Sequence, residues 1–143
     1  MATEPEPLEL VPLARMTIEL RAPIALDGTP VGSRWIFEVE SARIDGERLH
    51  GTMKGTANAD WFVLRPDGTG TLDVRALLET DDGALVFIQY LGRTDVAAGS
   101  STIYTAPLFE TGDERYTWLN QYQGVGIGSA SAEGVDYEFY AVL

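Results

Sequence analysis

Along most of the chain, hydrophobic and polar residues alternate with a period of two, the spacing of a strand with one buried face. Met16, Ile18 and Leu20 alternate with Arg15, Thr17, Glu19 and Arg21 until Pro23 ends the first strand, and "LDGTPVG" after it predicts a loop. Trp35, Phe37 and Val39 then alternate with Arg34, Glu38 and Glu40 in a second strand that turns at "IDGE". A third strand over about 48–57 places Leu49, Gly51, Met53, Gly55 and Ala57 on one face, its glycines predicting a bend or a close approach of backbone. A strand from Asp60 to Leu64 follows, and the turn signals "PDG" and "DDG" set strands near 70–80 and 84–92 into a meander with it.

"AAGSSTIYTAP" predicts a loop and a short strand. "FETGDERYTWLN" does not alternate, so a crossing near 108–119 is expected to be irregular or to hold a helical turn capped by Asp113. A closing hairpin turns Val135, Tyr137, Phe139 and Ala141 inward. The sum is an all-β chain of about eight to nine short antiparallel strands, a pattern of sandwiches and closed barrels, and the run of sequential hairpins favours a barrel. A barrel of about eight strands holds just side chains or one small ligand. Residues 1–12, with three prolines among glutamates, are expected to be a flexible lead-in to one domain over 13–143.

"GERLHGTMKGTANADW", "RPDGTGTLDVRALLETDDGALVFIQYLG", "YTAPLFETGDERYTWLNQ" and "GVDYEFYAVL" together resemble the domain-of-unknown-function 3237 family, also called uncharacterised protein family 0311. The resemblance covers roughly 13–143 and implies a lipocalin-like antiparallel barrel, with little about activity. Ala57 and Asn58 stand where members often carry glycines, and Tyr104 where an arginine commonly precedes "T-x-P". If that arginine binds an anion in relatives, the resemblance implies a neutral or phenolic ligand here.

Composition narrows the chemistry. With no cysteine and His50 as the single histidine, thiol catalysis, disulfides and two-histidine metal sites are excluded, and no metal or other cofactor is expected. His50 itself reads as a strand residue on a polar face. A net charge of −12 repels phosphate backbones and anionic lipid, so nucleic acid and membranes are not expected partners. Neither a membrane-spanning run nor a secretory leader is recognisable, which makes the cytoplasm the expected location. The expected partner is a small organic molecule, with a homodimer left open.

Three groups could carry chemistry. Asp73 and Arg75 share one face of a strand, with Cα atoms about 6.6 Å apart. That face is either plain solvated surface or the lining of a partly polar cavity, and the matched stretches favour the cavity. Asp60 beside Trp61 could be a base whose pKa burial raises. The simpler alternative has Asp60 accepting backbone amides in a turn while Trp61 packs in the core. Glu110, Tyr116, Trp118 and Asn120 lie on the crossing and could either bind a flat oxygenated molecule or plug one barrel end.

The expected function is therefore a small-molecule-binding barrel acting as a cofactor-independent enzyme of proton-transfer chemistry. Isomerisation, cyclisation, hydration or elimination on an oxygenated ring or polyketide-like substrate all fit. A carboxylate (Asp60, Asp73 or Glu110) would be the base, and Arg75, Tyr104 or Asn120 would stabilise negative charge. Trp35, Trp61 and Trp118 would orient the substrate. The alternatives are a non-catalytic carrier or sensor, whose cavity groups would all be mutually satisfied, and a structural barrel whose core is simply filled. A cavity of roughly 300 Å³ or more would speak against a filled core.

Overall fold

Eight of the strands form a ring in which each pairs with the next of the eight in chain order and the first pairs with the last. A computed structural model describes residues 3–143. Its strands are β1 (Leu10–Leu20), β2 (Ile24–Thr29), β3 (Gly32–Asp45), β4 (His50–Met53), β5 (Ala59–Leu64), β6 (Thr69–Thr80), β7 (Leu85–Asp95), β8 (Thr102–Thr105), β9 (Leu108–Glu110), β10 (Gly124–Ala130) and β11 (Gly134–Val142). The one helical element described is a 3-10 turn, Thr117–Gln121. Eight strands (β1, β3, β5, β6, β7, β8, β10 and β11) close an antiparallel ring. Outside it, β2 adds to β3, β9 adds to β7, and β4 bridges β3 and β6. This is the lipocalin-like barrel that alternation and resemblance both predict.

Inward positions fill the barrel most completely at the end where β1 begins. Met16, Ile44, Leu49, Leu78, Val86, Ile88, Leu119 and Phe139 there are at most 1% exposed. Each contributes roughly 1.5–3 kcal/mol on burial. The "GVGIG" of β10 makes room for the β11 aromatics. A Cβ on Gly126 would lie 2.6 Å from the Phe139 ring, and one on Gly128 equally close to Tyr137. Tyr137 and Phe139 therefore lean over β10, stacked with centroids 5.3 Å apart. The "PDG" and "DDG" turns work as predicted, with Gly68 and Gly83 at φ of 85° and 90°.

β3 bends sharply. Against β1 its register slips between Ser41 and Val39, so Glu40 is an extra residue in the strand. The inward set switches from Trp35, Phe37 and Val39 to Ala42 and Ile44. One strand thereby supplies aromatic wall at one end and aliphatic floor at the other.

Several local readings change. "LDGTPVG" is largely strand: β2 pairs with β3, and only Pro30 and Val31 turn. Such an added outer strand leaves no alternation, because Ile24, Ala25, Leu26 and Asp27 are all exposed. The third strand stops at Met53, since Gly55 sits at φ 73° in a turn. Asn58 closes that turn through Lys54 and Gly55 carbonyls and accepts the Leu77 amide. β1 starts at Leu10, with a register slip around Pro12 that tolerates its missing N–H. Asp113 caps no helix; it binds the Arg115 amide and guanidinium, and the 3-10 turn begins at Thr117. His50 is an exposed strand residue beside Asp45, as expected.

Candidate functional site

The two ends of the barrel differ in what fills them. Where β1 ends and β11 begins, a cavity of about 190 Å³ opens, walled by Trp35, Phe37, Phe62, Leu72 and Ile103, with Asp60 among them. Trp35 stacks on Phe62 at 5.8 Å, and Phe37 meets Phe62 edge-on at 6.0 Å. The volume falls below that of typical ligand pockets. A buried carboxylate, rather than size, distinguishes it from a filled core.

Asp60 is an inward residue of β5, 7% exposed, in a lateral row formed by Phe37, Asp60, Val74 and Tyr90 across β3, β5, β6 and β7. Its Oδ1 accepts the backbone N–H of Asp73 at 3.0 Å. That bond interrupts the sheet. The β5–β6 register is the same on either side, yet Trp61 and Phe62 pair with neither Asp73 nor Leu72. The Trp61 carbonyl is bound instead by Arg34 at 3.1 Å. Oδ2 makes no hydrogen bond among the described residues, and the side chain lines the cavity. Burial pushes the Asp60 carboxyl up to about 7; the Asp73 amide opposes the shift and the Asp73 charge adds slightly to it.

Two buried tyrosines feel the charge of this carboxylate. Tyr90 and Tyr137 pack edge-on with centroids 5.3 Å apart, 3% and 2% exposed. No hydrogen bond of acceptable geometry satisfies the Tyr90 hydroxyl, and the Thr105 hydroxyl is equally buried and unpartnered. Burial raises the pKa of both tyrosines, and the charge of Asp60 acts on each in the same direction. Sequence reasoning placed Tyr137 inside but assigned neither tyrosine a role. The available signal was a hydroxyl on an otherwise apolar inward face, which a core rarely tolerates without a partner.

Of the residues singled out from the sequence, Asp60 and Trp35 meet in this cavity. The rest lie elsewhere. Asp73 and Arg75 point outward from β6, whose inner face is Leu72, Val74, Ala76 and Leu78, and no ion pair joins them among the described residues. Trp61, 47% exposed, is likewise outside, because adjacent strand residues face opposite ways and Asp60 holds the inner place. Tyr104, 63% exposed, and Glu110 are outer residues of β8 and β9. Neither can touch a ligand within the barrel.

Tyr116, Trp118 and Asn120 plug the opposite end. The Tyr116 hydroxyl donates to Asp82 at 2.8 Å, and the Trp118 ring lies under Arg48. Asn120 accepts the Thr111 amide and donates to the Thr111 carbonyl, at 2.8 and 2.9 Å. Each is held by contacts to its own chain at the end away from the cavity.

Comparison with known proteins adds a family and an activity nearby. The family described as protein of unknown function DUF3237 matches residues 8–142. UPF0311 protein RPA1785 of Rhodopseudomonas palustris is 30% identical over 126 residues, 78% of this chain and 82% of that protein. Its crystal structure superposes with a TM-score of 0.88 at 26% identity, over 97% of this chain and all of the other. The hydroalkoxylation enzyme phnH of Penicillium herquei is 33% identical over 88 residues, 62% of this chain and 49% of that protein. The crystal structure of an enzyme from Penicillium herquei shares the fold, with a TM-score of 0.82 at 22% identity over the whole of both chains.

Proposed function

The chain belongs to the DUF3237 family, and we propose that it is a cofactor-independent enzyme whose barrel mouth catalyses proton transfer on a small, flat, oxygenated molecule. The observation that carries this reading is Asp60: a buried carboxylate with one oxygen fixed and the other facing an aromatic-walled cavity. A group poised near neutrality can both take and return a proton, which isomerisation and cyclisation require. The finer reading is intramolecular addition of a hydroxyl across a carbon–carbon double bond, the reaction class for which phnH is named. The O–H bond and the π bond of the alkene break and a C–O and a C–H bond form, so no oxidant or reductant is needed. Asp60 would accept the hydroxyl proton and deliver one to the alkene carbon. Trp35, Phe37 and Phe62 would press the ring into register.

A carrier is the less supported reading, because its cavity groups would be mutually satisfied, whereas Asp60 lines the cavity with one oxygen that makes no hydrogen bond among the described residues. The test is turnover of an ortho-alkenyl phenol to its cyclic ether, followed by chromatography. Wild type should form product with kcat/KM rising through about pH 7 as Asp60 ionises. Asp60→Asn should lose at least about 100-fold in kcat. Product formation unaffected by Asp60→Asn would overturn the assignment.

A further inference from the structure

Independently of that chemistry, the outer surface carries an unusual gathering of charge. Of the ten basic residues, Arg15, Arg21, Arg43, Lys54 and Arg115 each pair with a carboxylate. Arg48 sits over Trp118, 3.8 Å from the ring centroid. The other four, Arg34, Arg65, Arg75 and Arg93, have no carboxylate partner among the described residues, and all lie on one outer face. Arg34, Arg65 and Arg93 line a hollow of about 370 Å³ with Trp61, in which Asp73 is the only acid. Arg75 borders the adjoining hollow, which shares Asp73 and Leu91. Asp67 feels the charge of Arg65, but its hydrogen bond goes to the Thr69 amide. On a chain of net charge −12, a cluster of unpaired guanidiniums beside an exposed indole is a local attractor for anions.

The chain also carries a segment that matches it. Residues 3–9, "TEPEPLE", are exposed and outside any strand, and their root is held by the Leu143 amide on the Glu9 carbonyl at 3.0 Å. Pro5 and Pro7 favour an extended polyproline conformation, which docks readily in aromatic-lined grooves. Glu4, Glu6 and Glu9 supply carboxylates that arginine forks hold well. We infer that this acidic arm of one copy lies in the Arg34–Arg65–Arg93–Trp61 groove of a second copy of the chain.

Reach excludes a copy's own groove. From Leu10 back to Glu4 the arm spans at most about 20 Å. β1 alone carries the chain roughly 33 Å from the arm's root toward the mouth end, where the groove lies. Two copies placed side by side and head to tail bring each arm to the other's groove, a reciprocal exchange with two-fold symmetry. Exposed Leu91 and Tyr104, on the neighbouring β7 and β8, would come between the barrels.

Sedimentation velocity on the full chain tests this, with two charge reversals: Glu4→Arg with Glu6→Arg on the arm, and Arg65→Glu with Arg93→Glu on the groove. All four side chains are exposed, and circular dichroism will show that each variant keeps the fold. Wild type should sediment as a dimer that weakens as salt rises, and each reversal should raise the dimer Kd at least about tenfold. An equimolar mixture of the two reversed variants should dimerise again, because each reversed element then meets its complement. A monomeric wild type at low salt would overturn the proposal. So would a dimer indifferent to the arm reversal, or a groove that retains inorganic phosphate or an unrelated acidic protein while the chain stays monomeric.

Discussion

The two ends of this barrel are built from the same strands and do opposite things with polar side chains. At the plugged end every notable polar group has a partner: Tyr116 on Asp82, Thr80 on Asp82 and Ala84, Asn120 on Thr111, and Thr111 on Leu85. At the mouth, Asp60 holds a single backbone amide, and deeper in the barrel the Tyr90 hydroxyl, beside Tyr137, makes no hydrogen bond of acceptable geometry among the described residues. Satisfied polar groups rigidify, while unsatisfied buried ones cost free energy and persist where function needs them. The difference favours the mouth as the candidate site where cavity volume does not, since larger hollows than the mouth's 190 Å³ lie on the outer surface.

The largest effect should come from emptying the plugged end. Phe139→Ala removes a ring 1% exposed that packs on Tyr90 and Tyr137, and should destabilise by about 3–5 kcal/mol in urea unfolding. Trp35→Ala, at the open mouth, should cost no more than about 2 kcal/mol. Equal costs would mean that the mouth is core too.

Asp60→Asn should act in the other direction. Its carboxyl titrates at about 7 in the fold against an ordinary 3.8, so the native state holds more protons than the unfolded chain between those values. Stability therefore falls as pH rises from about 4 to 7 and stays lower above, by up to about 4 kcal/mol. The asparagine variant keeps an oxygen for the Asp73 amide and carries no charge. It should match wild type near pH 4 and exceed it by up to that amount at pH 8. Melting curves at both pH values decide, and a variant less stable than wild type at pH 8 would show that Asp60 is not a strained charge.

Asn120→Ala strips the Thr111 amide and carbonyl of partners together and should cost about 1–3 kcal/mol, with little change in any turnover at the mouth. A selective loss of activity would return Asn120 to the substrate-binding role that the sequence suggested for it.

How much of this was legible in the sequence follows from what periodicity reports. Alternation carried the ring strands and the inward set of β11, because each depends on side chains two residues apart, and the "PDG" and "DDG" signals carried both glycine turns, because each needs a residue at positive φ. It missed β2, whose residues are exposed on both faces, and it overran β4, where Gly55 turns the chain. The outward direction of Asp73 and Arg75 was hidden for a different reason. Leu72 and Val74 already supplied an apolar face, but nothing local says whether such a face meets a barrel interior or a covering layer. Asp60 was legible as a carboxylate within an apolar run. The buried tyrosine pair was not, since Tyr90 and Tyr137 lie on strands remote in sequence and converge only across the barrel.

The smallest effect is the one that tests the outer face. Had Asp73 and Arg75 been sealed in a cavity, Arg75→Ala would have left an unpaired buried charge and cost about 3–5 kcal/mol. On β6 as folded, Arg75 is exposed, pairs with no carboxylate, and lies opposite Gln89 on one neighbouring strand and Ala59 on the other. Truncating it removes neither a packed stem nor an ion pair, so stability should change by no more than about 0.5 kcal/mol. Asp73→Ala should do no more, because the bond that matters is made by its backbone amide, which alanine keeps. A loss of several kcal/mol from Arg75→Ala at neutral pH would put this face inside, and would move the site from the mouth to the flank of β6.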